Sequence, residues 1–171
     1  FAFGPDGAFL FARDSVGSEP LRRPTGLAYS AKRRLLYAVD TLAHRIHALE
    51  PDGQAAFSFG ERGDAEGRFN FPTHVAVDGA GMLYVTDSLG FRVQMFDREG
   101  RFTRFIGEMK NEGYFKRPTG LAVDRTGGEI YVTDTLDHMV YVVSTSGAIE
   151  RSWGRRGSGP GELNFPTAAA L

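Results

Sequence analysis

The sequence predicts an all-β fold built from consecutive four-stranded antiparallel sheets, and three observations carry that prediction. One phrase occurs four times: Arg23-Pro24-Thr25-Gly26-Leu27-Ala28, Phe71-Pro72-Thr73-His74-Val75-Ala76, Arg117-Pro118-Thr119-Gly120-Leu121-Ala122 and Phe165-Pro166-Thr167-Ala168-Ala169-Ala170. The prolines are 48, 46 and 48 residues apart, and Tyr37, Tyr84 and Tyr131, like Asp40, Asp87 and Asp134, recur every 47. Finally, short β-rich runs alternate with turn residues, and no segment carries a helical period.

Within one period the strands read most clearly at 119–123, 130–133, 139–143 and 148–153. Gly127-Gly128, residues 134–137 and Ser146-Gly147 separate them, with glycine supplying the positive φ of a tight turn. The second strand of each period, around 36–39, 83–85 and 130–132, is continuously apolar, as a strand buried on both faces must be. Turn glycines Gly53, Gly100 and Gly147 and strand-end glycines Gly60, Gly107 and Gly154 keep the same beat. Four antiparallel strands in 46 to 48 residues fit one blade of a β-propeller, whose two faces pack on neighbouring blades. The expected layout is the end of a preceding blade and a crossover at 1–23, blades at 24–71, 72–117 and 118–165, and the first strand of a next blade at 166–171.

These residues resemble the NHL repeat: Pro-Thr-Gly-Leu-Ala-Val-Asp at 118–124, Ile-Tyr-Val-Thr-Asp at 130–134, His44-Arg45-Ile46 and the Gly-rich crossovers carry the likeness over nearly the whole chain. The resemblance implies an all-β propeller, usually a six-bladed ring, to which these blades contribute a part. Open blade edges also invite self-association, with two copies completing a ring. Related six-bladed peptidyl-amidoglycolate lyases place channel histidines just after the proline of the inner strand. Here Thr25, Thr73, Thr119 and Thr167 stand there, a departure from that chemistry.

Composition narrows the functional classes. Twenty basic and 21 acidic residues nearly cancel, so no global field points to nucleic acid or an anionic membrane. The absence of cysteine excludes disulfides and thiolate chemistry. No apolar run is long enough to predict membrane insertion. Too few nitrogen and oxygen ligands are in view for a zinc site, and no metal, cofactor or catalytic residue is predicted. The loop from Arg155 to Gly161 has the glycines of a phosphate cradle but leads into a strand rather than a helix, so it reads as a crossover.

Residues that return every period serve blade geometry first. Asp40, Asp87 and Asp134 are therefore read as turn or neighbouring-blade acceptors, with Arg45 and Arg92 as partners of the first two. Functional candidates are sought in the loops and where the period breaks. His44 and His138, with Phe91 at the equivalent place, lie before the third strand; His74 stands where other repeats have glycine or alanine. Asn70, Lys116 and Arg117 lie in the junctions that enter inner strands, and Asp137 in a loop on the same face. These eight residues predict a ligand-binding face for a protein, peptide or glycan. An RNA-binding face is allowed but not favoured, because Glu61, Asp64, Glu66, Glu108, Glu112 and Glu162 dilute the positive field of the crossovers. A lyase or hydrolase with a channel metal completed by further blades is the alternative from another class, and a purely architectural spacer a third.

Overall fold

The computed structural model describes residues 1–109, 112–124, 126 and 128–171; Gly127 of the Gly127-Gly128 break lies outside the described residues. Three four-stranded antiparallel sheets form, each in simple sequential order. The first blade holds Pro24–Ser30, Leu35–Asp40, Arg45–Leu49 and Ala55–Phe59. The second holds Pro72–Val77, Leu83–Asp87, Arg92–Phe96 and Phe102–Ile106. The third holds Pro118–Val123, Glu129–Asp134, Met139–Ser144 and Ile149–Trp153. Among the described residues no helix is long and apolar enough to cross a membrane.

The blades do not hydrogen-bond into one sheet; they stack face to face with their inner strands adjacent. Successive side chains of a strand point to opposite faces, so each strand feeds two seams. Leu83 and Val85 pack with Tyr37, Val39, Ile46 and Phe96 in the first seam, while Tyr84 between them packs with Ile130, Val132 and Val143 in the second. This is why the second strands read as unbroken apolar runs. The crossovers between the three blades each drive one aromatic into a seam, Phe69 in the first and Phe115 in the second, both buried. Gly60 turns the chain at a φ of 92° under the Phe69 ring, where an added Cβ would meet Phe69 Cε2 at 2.5 Å; only glycine combines that conformation with that closeness.

The two ends of the array differ from its middle. Phe9–Phe11 pairs with Ala2–Phe3, and Gly53 sits against Phe11 and Arg13 much as Gly100 sits against Phe57 and Phe59. Residues 166–171, expected as a strand, do not form one, because nothing among the described residues pairs with them. Their backbone nevertheless takes an inner strand's place: Thr167 and Ala168 abut Gly120 as Thr73 and His74 abut Gly26.

Candidate functional site

The site is built on the three repeated aspartates, all fully buried at the end of the second strand. Asp40 accepts hydrogen bonds from the Arg22 and Arg23 amides at 2.7 and 2.8 Å and from Ala43 N at 3.3 Å. Asp134 accepts from the amides of Lys116 (2.6 Å), Arg117 (3.0 Å), Leu136 (3.1 Å) and Asp137 (3.0 Å). Each carboxylate thus ties the incoming junction to the loop between second and third strands, in bonds strengthened by its charge.

Asp87 is different. It accepts from Asn70 N at 2.6 Å, but its remaining partners are side chains, Arg92 Nε at 3.1 Å and Gln94 Nε2 at 3.0 Å. The Phe71 amide goes elsewhere, donating to Nδ1 of His44 in the preceding blade at 3.2 Å. The His44 ring meets the Phe71 ring nearly edge-on, with centroids 4.9 Å apart. The same clasp recurs one pair of blades later: Phe165 N donates to His138 Nδ1 at 3.2 Å, with rings 4.7 Å apart. Phe71 and Phe165 are left-handed, at φ 60° and 52°, as are His44, Phe91 and His138. Arg–Pro and Asn-Phe-Pro junctions therefore alternate along the chain and are held by different chemistry.

Burial pushes Asp87 up to about 6 against the pull of Asn70, Arg92 and Gln94. Burial also lowers the His44 imidazole, against the pull of the Phe69 carbonyl 3.1 Å from the same Nδ1; the neutral tautomer with its proton on Nε2 is the one that accepts from Phe71 N. The expected Asp87–Arg92 pair is present, and Arg92 also donates to Asp64 O at 2.8 Å and covers the Phe105 ring at 4.1 Å. The expected Asp40–Arg45 pair is not. Asp40 is already filled by backbone donors, and Arg45 turns to Glu19 at 2.5 Å.

A second repeated device was not legible as such. The residue after each aspartate, Thr41, Ser88 or Thr135, donates its hydroxyl to the carbonyl of Pro72, Pro118 or Pro166 in the following repeat. Thr25 and Thr73 reach the Thr73 and Thr119 carbonyls at 2.9 and 3.0 Å. These hydroxyl staples stitch adjacent inner strands where no sheet bonds cross. The signal was present in the recurring Pro-Thr and Asp-Thr or Asp-Ser pairs.

The staples floor a cavity of about 230 Å³ at the junction face, walled by Arg23, Phe71, Leu89 and Arg117. Of the eight sequence candidates, Arg117 lines it. Lys116, beside it, is paired with Asp137, whose other oxygen accepts from Tyr141. Burial works against the Asp137 carboxylate, yet Lys116 and Tyr141 together hold its carboxyl below the usual range. Asn70 contributes its amide to Asp87, and His44 and His138 are clasped. Phe91 is exposed on the loop between second and third strands. His74 is half-buried, outside the cavity lining; its amide donates to Thr86 Oγ1 at 2.9 Å, its Nδ1 has no hydrogen-bond partner, and burial lowers its imidazole. Among the described residues no group of three or more His, Cys, Asp or Glu side chains is arranged to hold a metal ion.

Comparison with known proteins accords with this geometry. The NHL repeat family pattern matches residues 115–140. The chain is 37% identical over 98 residues to Protein brain tumor of Drosophila melanogaster, covering 56% of this chain and 10% of that protein. It is 30% identical over 149 residues to the human E3 ubiquitin-protein ligase NHLRC1, covering 85% of this chain and 36% of that one. The chain thus spans between about a tenth and about a third of these relatives' length. Among solved structures, virginiamycin B lyase from Staphylococcus aureus matches with TM-score 0.61 at 15% identity, over 85% of this chain and 44% of that one. Kuenenia stuttgartiensis hydrazine synthase matches with TM-score 0.66 at 15% identity, over 94% and 42%. At such identity the likeness is one of fold alone. With its recurring Pro-Thr, Tyr and Asp landmarks set into three four-stranded blades, the chain belongs to the NHL-repeat β-propellers.

Proposed function

We propose that the chain is a recognition module that binds a protein or peptide through the face made by the junctions and the loops between second and third strands. The observation that carries this reading is the placement of exposed apolar side chains. Leu42, Leu89, Phe91 and Leu136 are 38% to 48% exposed, and all four lie in those loops. The other large apolar residues left exposed, such as Phe3, Phe9, Leu27, Tyr29 and Trp153, belong to the ends of the array, and Phe165 to a junction. The three leucines recur every 47 residues but, unlike the repeated aspartates, are not consumed by packing, and apolar side chains left exposed on one face mark an interaction site. Aliphatic leucines suit apolar peptide side chains better than the flat faces of sugars or bases.

Replacing Leu42, Leu89 and Leu136 together by serine tests the reading. The face predicts loss of partner capture from source extract with an unchanged unfolding midpoint; unchanged capture would refute it.

The same physics favours a larger ring. Leu27 and Tyr29 are exposed, whereas Val75, at the register of Leu27 in the second blade, is buried by the blade before it. They border an apolar hollow of about 630 Å³ with Leu36, Ala38 and Leu49. A further blade, from a longer chain or a second copy, fills this face. Sedimentation separates the two sources: a monomer at working concentration excludes the second copy.

A further inference from the structure

We propose that the cavity between Arg23 and Arg117 is a carboxylate subsite, which takes an acidic side chain of an otherwise apolar peptide segment lying across Leu42, Leu89 and Leu136. The proposal rests on the reading of this face as a peptide-binding surface and adds the chemistry of its anchor.

The lining comprises two arginines, four threonines, one serine, Phe71 and Leu89, and no acidic residue. Seven arginines are paired with carboxylates among the described residues: Arg33, Arg45, Arg68, Arg92, Arg101, Arg151 and Arg155. Among the described residues Arg23 and Arg117 have no such partner, and both are exposed. Their backbones are nevertheless fixed, because each donates its amide to a buried aspartate, Asp40 or Asp134. Two arginines thus rise from fixed backbone on the lining of one cavity, and a guanidinium fork is suited to bidentate binding of a carboxylate.

The floor does not compete for that role. Thr25, Thr41, Thr73 and Ser88 spend their hydroxyl protons on carbonyls of the following repeat, so the charge of the site comes from the arginines. The Phe71 wall is held by His44. A volume of about 230 Å³ is ample for an acidic side chain, since a water molecule takes roughly 30 Å³ in the liquid. Leu42, Leu89 and Leu136 outnumber Phe91 among the exposed apolar side chains of the loops between second and third strands, which favours peptide over single-stranded RNA, whose bases stack on aromatic platforms. Asp137 also neutralises Lys116, the neighbour of Arg117 in the chain.

The test is a titration of the isotopically labelled chain with acetyl-Leu-Glu-Leu-Glu-Leu-amide, its glutamine counterpart and oligouridylate, followed by NMR. The glutamate peptide is expected to shift the Nε–Hε signals of Arg23 and Arg117 together with the methyls of Leu42 and Leu89. The glutamine peptide, and the glutamate peptide with Arg117→Gln, should bind about tenfold more weakly. Leucine shifts without arginine shifts, at equal affinity for both peptides, would overturn the carboxylate subsite and leave the peptide-binding face standing. No shift at either set would overturn both. Arginine shifts produced by oligouridylate at lower concentration than by the peptide would assign the cavity to nucleic acid and overturn the proposal.

Discussion

The basic junctions at 22–23 and 116–117 and the aromatic junctions at 70–71 and 164–165 perform one task, leading the chain into an inner strand, by two chemistries. In the basic kind both amides fall on the aspartate of the same blade. In the aromatic kind at 70–71 one amide goes to that aspartate and the other to a histidine of the preceding blade. The consequence runs two ways. Asp87 is left with an oxygen for Arg92 and Gln94, whereas Asp40 needs no side-chain cation. The arginines of the basic junctions stay free at the surface, while Phe71 is drawn against His44. Repeated position and functional availability are therefore separable: a junction consumed by packing alternates with one that is free to bind.

The sharpest test of this contrast is Asp87→Ala. It strips a buried carboxylate from buried Arg92 and from the Asn70 amide, and it should cost about 3–5 kcal/mol in urea denaturation. Asp40→Ala, which orphans only backbone amides near the surface, should cost less. The clasp comes next. His44→Ala leaves the Phe71 amide without its acceptor and should cost about 1–3 kcal/mol, whereas Phe91→Ala, at the equivalent place without a clasp, should fall within about 0.5 kcal/mol. Equal losses from the two would mean that the alternation has no energetic content. Thr41→Val removes one hydroxyl staple to Pro72 O and should cost about 1 kcal/mol.

The smallest effect is that of pH. Burial lowers the His44 imidazole from its ordinary 6.5, so the unfolded chain takes up a proton that the folded chain resists. The stability this histidine contributes is present above about pH 6.5 and is lost as pH falls below it. His47 and His74 are lowered by burial too and act in the same direction. Asp87, raised to about 6, acts oppositely: its contribution is present at low pH and is lost as pH rises through about 6. Urea midpoints between pH 5 and 7 should therefore fall less steeply on acidification in His44→Ala than in the parent chain.

The blades were legible because repetition multiplies weak signals. A single stretch such as 139–143 would be ambiguous, but three copies of Tyr, Asp and Gly at one spacing fix four strands per repeat, and the predicted 130–133 differs from Glu129–Asp134 by one residue at each end. The aspartates were read correctly as turn acceptors because their regularity demanded a geometric role. What the pattern could not display were bonds between repeats. His44 and Phe71 are 27 residues apart and meet across two repeats, each at positive φ, and Arg45 looked like the partner of Asp40 because spacing does not reveal that backbone amides arrive first. Arg23 was hidden for the opposite reason: as part of the repeated phrase it resembled scaffold, and only its place with Arg117 on the lining of one cavity sets it apart.

Whether basic junctions bind while aromatic junctions hold is decided by a matched pair of variants, Arg117→Ala and Phe71→Ala. For each, the urea midpoint and the affinity for the acidic leucine peptide are measured together. Arg117→Ala is expected to leave the midpoint unchanged and to weaken the peptide about tenfold, whereas Phe71→Ala is expected to lower the midpoint by the loss of its ring contact with His44. An Arg117→Ala chain that is destabilised and still binds normally would contradict this division of roles.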